Sequence, residues 1–275
     1  MKATHFRKEK NINMANNGLI EKAYNAIYDY LMNKSVYAPT YRAALKENAR
    51  ETKSFFGSDS DLFAVMIELR DEINHATAKN SGKGNLFKSM MKIIKDADVN
   101  YCGGILKGAY TDEKGRTCVT DSFSLIRTEE KVDLPQADLS NTSDGKWLNV
   151  DRIMPHRCDV RKVNIPTIAE LKQYIKLNKN EPTAYAADRK EMVWFIRNDS
   201  DEAVCMVGAK RLLNILEAIG DGASAFAHHG SSARICPLWI VGEKTEALCC
   251  PMRFFDSDEA FEEKYGIKAE PKTAA

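Results

Sequence analysis

The chain has 275 residues, of which 44% are hydrophobic and 29% charged, the balance of a globular protein with room for one large or two ordinary domains. Its formal net charge is only +1, so bulk charge offers no argument for nucleic-acid binding, and any such argument must rest on where the charges sit. No apolar run approaches the roughly 20 residues that span a bilayer, and the charged start M-K-A-T-H-F-R-K-E-K lacks the hydrophobic core of a secretory signal.

Residues 1–17 are polar and read as a loose arm. From Gly18 to Met32, helical spacing places Leu19, Ala23, Ile27 and Leu31 on one face. Tyr24, Tyr28 and Tyr30 on this helix resemble a stacking platform for bases, but are read as packing residues with wet phenol tips. A second helix is expected over Thr40–Lys53. A third starts near Asp59, with acids in its first turn as the helix dipole prefers and an apolar stripe of Leu62, Val65, Met66, Leu69 and Ile73. A-K-N-S-G-K-G-N (Ala78–Asn85) has linker composition and sets a boundary. The expected organisation is a helical region over 1–80, an α+β region over 85–255 and a tail over 256–275.

Over Asn85–Ala97, Leu86, Met90, Ile93, Ile94 and Ala97 gather on one side, and Lys88, Lys92 and Lys95 on the other. The period then becomes alternating. Tyr101–Tyr110 and Thr117–Arg127 read as a hairpin around T-D-E-K-G-R, Val132–Gly145 as loop, and Lys146–Pro155 as a strand carrying Trp147 and Ile153. Pro166 opens a helix in which Thr167 and Glu170 have capping-box spacing. Ile168, Leu171, Tyr174 and Ile175 form its apolar face, and Lys172, Lys176 and Lys179 a second lysine stripe. A solvated lysine face is common on one helix; the second at like spacing adds weight to a functional basic surface.

Strands are expected at Thr183–Ala187, Met192–Arg197 and Ala203–Val207. The helix Ala209–Ile219 buries Leu212, Leu213, Ile215, Leu216 and Ile219. Lys210 and Arg211 in its first turn oppose the dipole at a cost of about 0.3–1 kcal/mol each. Ala223–His228, Ile235–Val241 and Ala247–Phe254 close the strand run, with G-E-K-T-E as a hairpin loop, and the tail past Asp256 holds a short helix. The helix-then-strands plan of Asn85–Arg127 thus recurs in Gly208–Phe254.

Catalytic and metal chemistry find little support. The seven cysteines are odd in number, irregularly spaced and without a C-x-x-C, which reads as reduced thiols in a cytoplasm. His228 and His229 near Cys236 lack the further ligands a zinc site requires. His228-His229-Gly230-Ser231-Ser232 reads as a polar loop, and no phosphate-binding glycine motif occurs. No enzyme activity, metal or cofactor is expected.

Several motifs in order resemble the bacterial DNA sliding clamps, the DNA polymerase III beta subunit family. G-A-K-R-L-L-N-I-L-E-A-I-G resembles the helix of their last repeat, and Cys236-Pro237-Leu238-Trp239-Ile240 a strand that follows it. A-L-C-C-P-M-R (Ala247–Arg253) is similar to their closing strand, and Val119–Leu125 to their T-D-G-x-R-L motif. The chain departs from the family in having Ser124 at the usual arginine, Cys250 at the methionine before Pro251, a helical start and an added tail. The resemblance therefore implies a divergent clamp-like protein of a phage, prophage or other mobile element. It implies helix-plus-antiparallel-sheet repeats and non-sequence-specific binding of double-stranded DNA through Lys88, Lys92, Lys95, Lys172, Lys176, Lys179, Lys210 and Arg211. It also implies a groove at Cys250, Pro251, Met252 and Arg253 that recruits replication proteins by short linear peptides, and a homo-oligomer. The alternative is a clamp-fold adaptor or inhibitor of replication that does not encircle DNA.

Overall fold

The computed structural model describes residues 18–47, 58–97, 101–140, 142, 146–179, 191–201 and 203–252. The arm over 1–17, the strand over 183–187, the helix past residue 255, and the later part of the helix expected over 40–53 lie outside them. The chain is α+β and divides into two compact units: Met1–Lys88 with Asp98–Ala109 and Val132–Lys146, and Ser89–Ala97 with Tyr110–Lys131 and Trp147–Ala275.

The first unit begins with a helix over 18–29 (α1), which widens into a π-turn, Tyr30–Lys34. Helices Ala38–Lys46 (α2) and Ser58–Asn80 (α3) follow. Leu31, Met32, Tyr41, Phe63, Met66 and Ile67 form a core, with Tyr24, Ile27 and Leu62 packed against it. Two expected face residues are exposed: Leu19 by 68% and Val65 by 47%. Phe63 and Ile67 flank Met66 on the buried side of α3 and turn Val65 outward, because a helix can present only one such stripe. The π-turn buries Leu31 and Met32 in succession. The Met32 carbonyl accepts from Arg42 Nε and Nη2 at 3.0 and 2.7 Å. The tyrosines serve packing and local bonding: Tyr24 and Tyr28 rings lie 5.8 Å apart, and the Tyr30 hydroxyl donates to Asp59 at 3.2 Å.

The A-K-N-S-G-K-G-N stretch closes α3 and opens the helix Gly84–Asp96 (α4), its turn confined to residues 81–83. Gly82 takes φ +79°, and Lys83 N–H donates to the Ala78 carbonyl at 2.7 Å. Tyr101–Lys107, expected as strand, is a 3-10 helix. Ala109 beyond it makes a parallel bridge to Gln136. A Cβ on Gly108 would lie 2.3 Å from the Ala137 backbone nitrogen, an atom that no rotamer change can move. Gly108→Ala is therefore expected to cost about 2–3 kcal/mol by overpacking, read as a lower urea midpoint with an unchanged m-value.

The second unit is built on a seven-stranded sheet: Tyr110–Thr111 (β1), Thr117–Thr120 (β2), Ser124–Thr128 (β3), Val160–Val163 (β4), Ser224–His228 (β7), Leu238–Val241 (β8) and Thr245–Cys249 (β9). Val193–Arg197 (β5) and Ala203–Gly208 (β6) form a separate pair. The order in the large sheet is β1-β2-β3-β9-β8-β7-β4, with antiparallel neighbours throughout. The two helix-then-strands runs thus each end in a three-stranded meander. The meanders join through their last strands, with Ile126 opposite Ala247 at the seam.

Two further strand expectations are corrected, and one strand is new. Thr117–Arg127 is not one strand, because Asp121 Oδ1 accepts from Phe123 and Ser124 N–H at 2.9 and 2.6 Å and turns the chain, with Ser122 at φ +74°. Lys146–Pro155 holds a single helical turn, Val150–Ile153 (α5), which Asn149 caps; Trp147 is buried against Tyr110, but Ile153 is 50% exposed. The edge strand β4 was not anticipated, since V-R-K-V has too few apolar positions to show a period.

The expected helices Ile168–Leu177 (α6) and Ala209–Ile219 (α7) are present. Both halves of the Thr167–Glu170 capping box form. α7 packs across β3, β6 and β9 and beside α6. Gly242 gives room for Ile219, whose Cγ2 would lie 2.5 Å from an added Cβ. Two bridges join the small sheet to the large one: Asn164, just past β4, to Arg197 on β5, and Pro251, just past β9, to Val207 on β6.

Candidate nucleic-acid surface and closing strand

The burial of α4 follows its apolar stripe. Leu86, Met90, Ile93, Ile94 and Ala97 are buried as expected, and so are Phe87 and Met91, which widen the band. Lys88, Lys92 and Lys95 are all exposed. In the second unit, the part of α4 from Ser89 onward is tied to α7: buried Asn214 donates through Nδ2 to the Ser89 carbonyl at 3.1 Å. On α7, Lys210, Asn214 and Glu217 fall on one stripe at helical spacing. Glu217 in turn meets Lys172 of α6 at 2.7 Å. One stripe of α7 therefore reaches α4 through Asn214 and α6 through Glu217. Lys92 and Lys95 of α4, Lys176 and Lys179 of α6, and Lys210 of α7 are all exposed.

Arg211 is placed differently. Its Nε lies 3.0 Å from Glu191 Oε1, and its guanidinium carbon lies 4.3 Å from the centre of the Phe123 ring. The Glu191 carboxylate also sits against Gly208, where an added Cβ would approach Oε1 to 2.1 Å. Two cations in the first turn of α7 are thus offset by a carboxylate from outside the helix, standing where an acidic N-cap would stand. The unfavourable cations are visible in the sequence, whereas nothing local in it points to Glu191.

The turn Asp121–Phe123 and the end of β9 come together. Cys250 N–H donates to the Phe123 carbonyl at 2.8 Å, and its thiol lies 3.7 Å from the Ser122 carbonyl. Beyond Cys250 the chain leaves the large sheet. Met252 N–H donates to the Met206 carbonyl at 2.8 Å, and its side chain packs with Val193 and Met206. Pro251 and Met252 are buried, whereas Phe123, whose carbonyl Cys250 engages, is 45% exposed. Arg253 lies outside the described residues.

The register places Arg127, Glu246 and Trp239 on one face of the sheet, since residues paired across antiparallel strands share a side. Arg127 is 6% exposed and is held by Glu246 Oε1 at 2.7 Å from Nε and by Asp151 of α5. Trp239 Nε1 donates to Glu246 Oε2 at 3.1 Å. Asp151 also accepts from Lys114 at 3.0 Å and Arg116 at 2.9 Å. The hydrogen bonds from Lys114, Arg127 and Arg116 hold its carboxyl well below the usual carboxylate range. Arg116, Arg127, Trp239 and Glu246 of this network line a cleft of about 240 Å³, together with Arg157 and Lys244. Lys244 pairs with Glu130 at 3.2 Å.

Cys118, Cys158, Cys205, Cys236, Cys249 and Cys250 are free thiols. Burial pushes Cys118 and Cys205 up to about 12, so neither is a thiolate nucleophile near neutral pH. Among the described residues no cluster of metal-ligating side chains occurs, and no helix is long and apolar enough to cross a membrane.

Fold and surface together define an α+β chain in which lysine-bearing helices accompany an antiparallel sheet made of two joined meanders. No protein-family model matches it, and no curated protein does. Among solved structures it is similar to the Helicobacter pylori beta clamp bound to a DNA ligase peptide, at 15% identity and TM-score 0.40, covering 62% of this chain and 63% of the clamp. It is also similar to the DNA polymerase III subunit beta of Borrelia burgdorferi, at 12% identity and TM-score 0.41, covering 62% and 63%. The DNA polymerase sliding clamp of Bacillus subtilis is a third, at 13% identity and TM-score 0.41, covering 62% of each chain. The matched part spans less than two thirds of the length of each clamp.

Proposed function

We propose that this is a sliding-clamp-like, DNA-associated protein. It binds double-stranded DNA without reading sequence, through Lys88, Lys92, Lys95, Lys172, Lys176, Lys179 and Lys210, and recruits replication proteins by short linear peptides. The observation that carries the reading is the tie of α4 and α6 to a single stripe of α7, with exposed lysines on all three helices. Lysine contacts to phosphate position a protein on the duplex without fixing it to one sequence. Support for the peptide site comes from the meeting of the T-D-S-F-S-L turn with the C-C-P-M segment, which lie far apart in sequence and are hydrogen-bonded through Cys250. Exposed Phe123 suits apolar recognition. Arg211 belongs with this peptide site, because Glu191 and Phe123 already engage it.

A chain with two such helix-and-meander repeats needs further copies of itself to surround a duplex, hence a closed homo-oligomer. The test is retention on nicked circular duplex DNA, compared with the same DNA linearised, together with sedimentation. The expected result is an oligomer that stays on the circle, is lost from linear ends, and binds with an affinity that falls linearly with salt on logarithmic axes. A monomer that binds circle and linear DNA alike moves the protein to the non-encircling adaptor or inhibitor. Absence of salt-dependent binding overturns the DNA role.

A further inference from the structure

The exposed lysines of α4 and α6 are not equally placed. Lys92 of α4 and Lys176 of α6 have no side-chain partner among the described residues, whereas Lys172 of α6 is paired with Glu217 at 2.7 Å. Glu217 is the one acid in α7, and it lies on the same stripe as Lys210 and Asn214. The pair is accessible, with side chains 55% exposed for Lys172 and 29% for Glu217. An ion pair so exposed is weak, and a duplex phosphate brought to the same surface competes with the carboxylate for the ammonium.

We infer that Glu217 is a built-in attenuator of duplex binding, holding Lys172 away from phosphate and placing a negative charge on the path of the backbone. This inference rests on the DNA-binding reading above and assigns an affinity-setting role to a residue outside its basic set. Occupying Lys172 internally weakens the grip on any one position and leaves phosphate contact to the other lysines of the set. Movement along DNA is then less hindered than with every lysine engaged.

The experiment is a titration of fluorescent duplex DNA over a range of salt with wild type, Glu217→Gln, Lys172→Gln and the double variant, each checked for an intact thermal transition. Glu217→Gln is expected to bind roughly threefold to tenfold more tightly at 0.1 M salt, with a log–log slope steeper by about 0.9, the value of one added phosphate interaction. In the Lys172→Gln background the same change is expected to leave the slope unaltered, because no ammonium is released. An equal gain in both backgrounds overturns the release of Lys172, since Glu217 then acts only as a diffuse charge. An unchanged slope in Glu217→Gln overturns the attenuator while the DNA-binding reading stands. Failure of all four proteins to bind overturns both.

Discussion

Replacing Arg127 with methionine is expected to destabilise the second unit by about 3 kcal/mol, seen as a thermal midpoint lower by roughly 6–12 °C. The side chain is 6% exposed and bonds Glu246 on one side and Asp151 on the other. Methionine fills comparable space but leaves the Glu246 carboxylate with the Trp239 indole, a neutral donor, in place of a guanidinium. The loss is mostly the cost of that stranded charge, so Glu246→Gln added to Arg127→Met is expected to restore part of the midpoint. A single variant as stable as wild type, or a double variant less stable than the single, would contradict this account.

The pH dependence has a definite sign. Asp151 is held below its ordinary value, so its contribution is present above the unfolded carboxylate range near pH 4 and is lost as pH falls through the folded value. Arg127 is one of three donors to it, so the acid limb of the stability curve is expected to be shallower in Arg127→Met. The side chain of Asp151 is 49% exposed, which keeps this a modest modulation of a larger effect.

The second large effect is on DNA. Lys88, Lys92 and Lys176 are exposed and carry no side-chain partner among the described residues. Converting all three to glutamate is expected to lower duplex affinity by about 100-fold or more at 0.1 M salt, and to reduce the salt slope by about 0.9 for each phosphate no longer engaged. Removal of three surface lysines leaves the apolar stripe of α4 and the Thr167–Glu170 cap untouched, so the thermal midpoint is expected to hold within a few degrees. Affinity and slope equal to wild type would place the DNA face elsewhere.

What could be read from the residues was what local physics decides. The α6 start was legible because Thr167 and Glu170 satisfy each other within one turn. The lysine and apolar sides of α4 were legible because a single period separates them. Tyr101–Lys107 was not, since a 3-10 helix lacks a distinctive repeat, and Ile153 alternates as a strand residue would although Asn149 caps a helical turn there. The T-D-S-F turn was hidden inside an alternating run because Asp121 bends the backbone with its own carboxylate. At the candidate surface, sequence placed the cations but not Glu191 and Glu217 against them. Those pairings bridge separate elements and exist only after packing.

The seam between β3 and β9 governs when this chain can fold. Arg127 and Glu246, side by side in the sheet, are 119 positions apart in the chain. Closing a loop of such long range is entropically slow. The π-turn and the three helices around Phe63 involve near neighbours and can collapse early. β3 cannot acquire its partner until the chain has been synthesised almost to Cys249, and until then it presents an unpaired edge. Truncation shortly before β9 would therefore leave the first meander without its neighbour, and nascent chains halted there are the species most prone to aggregate.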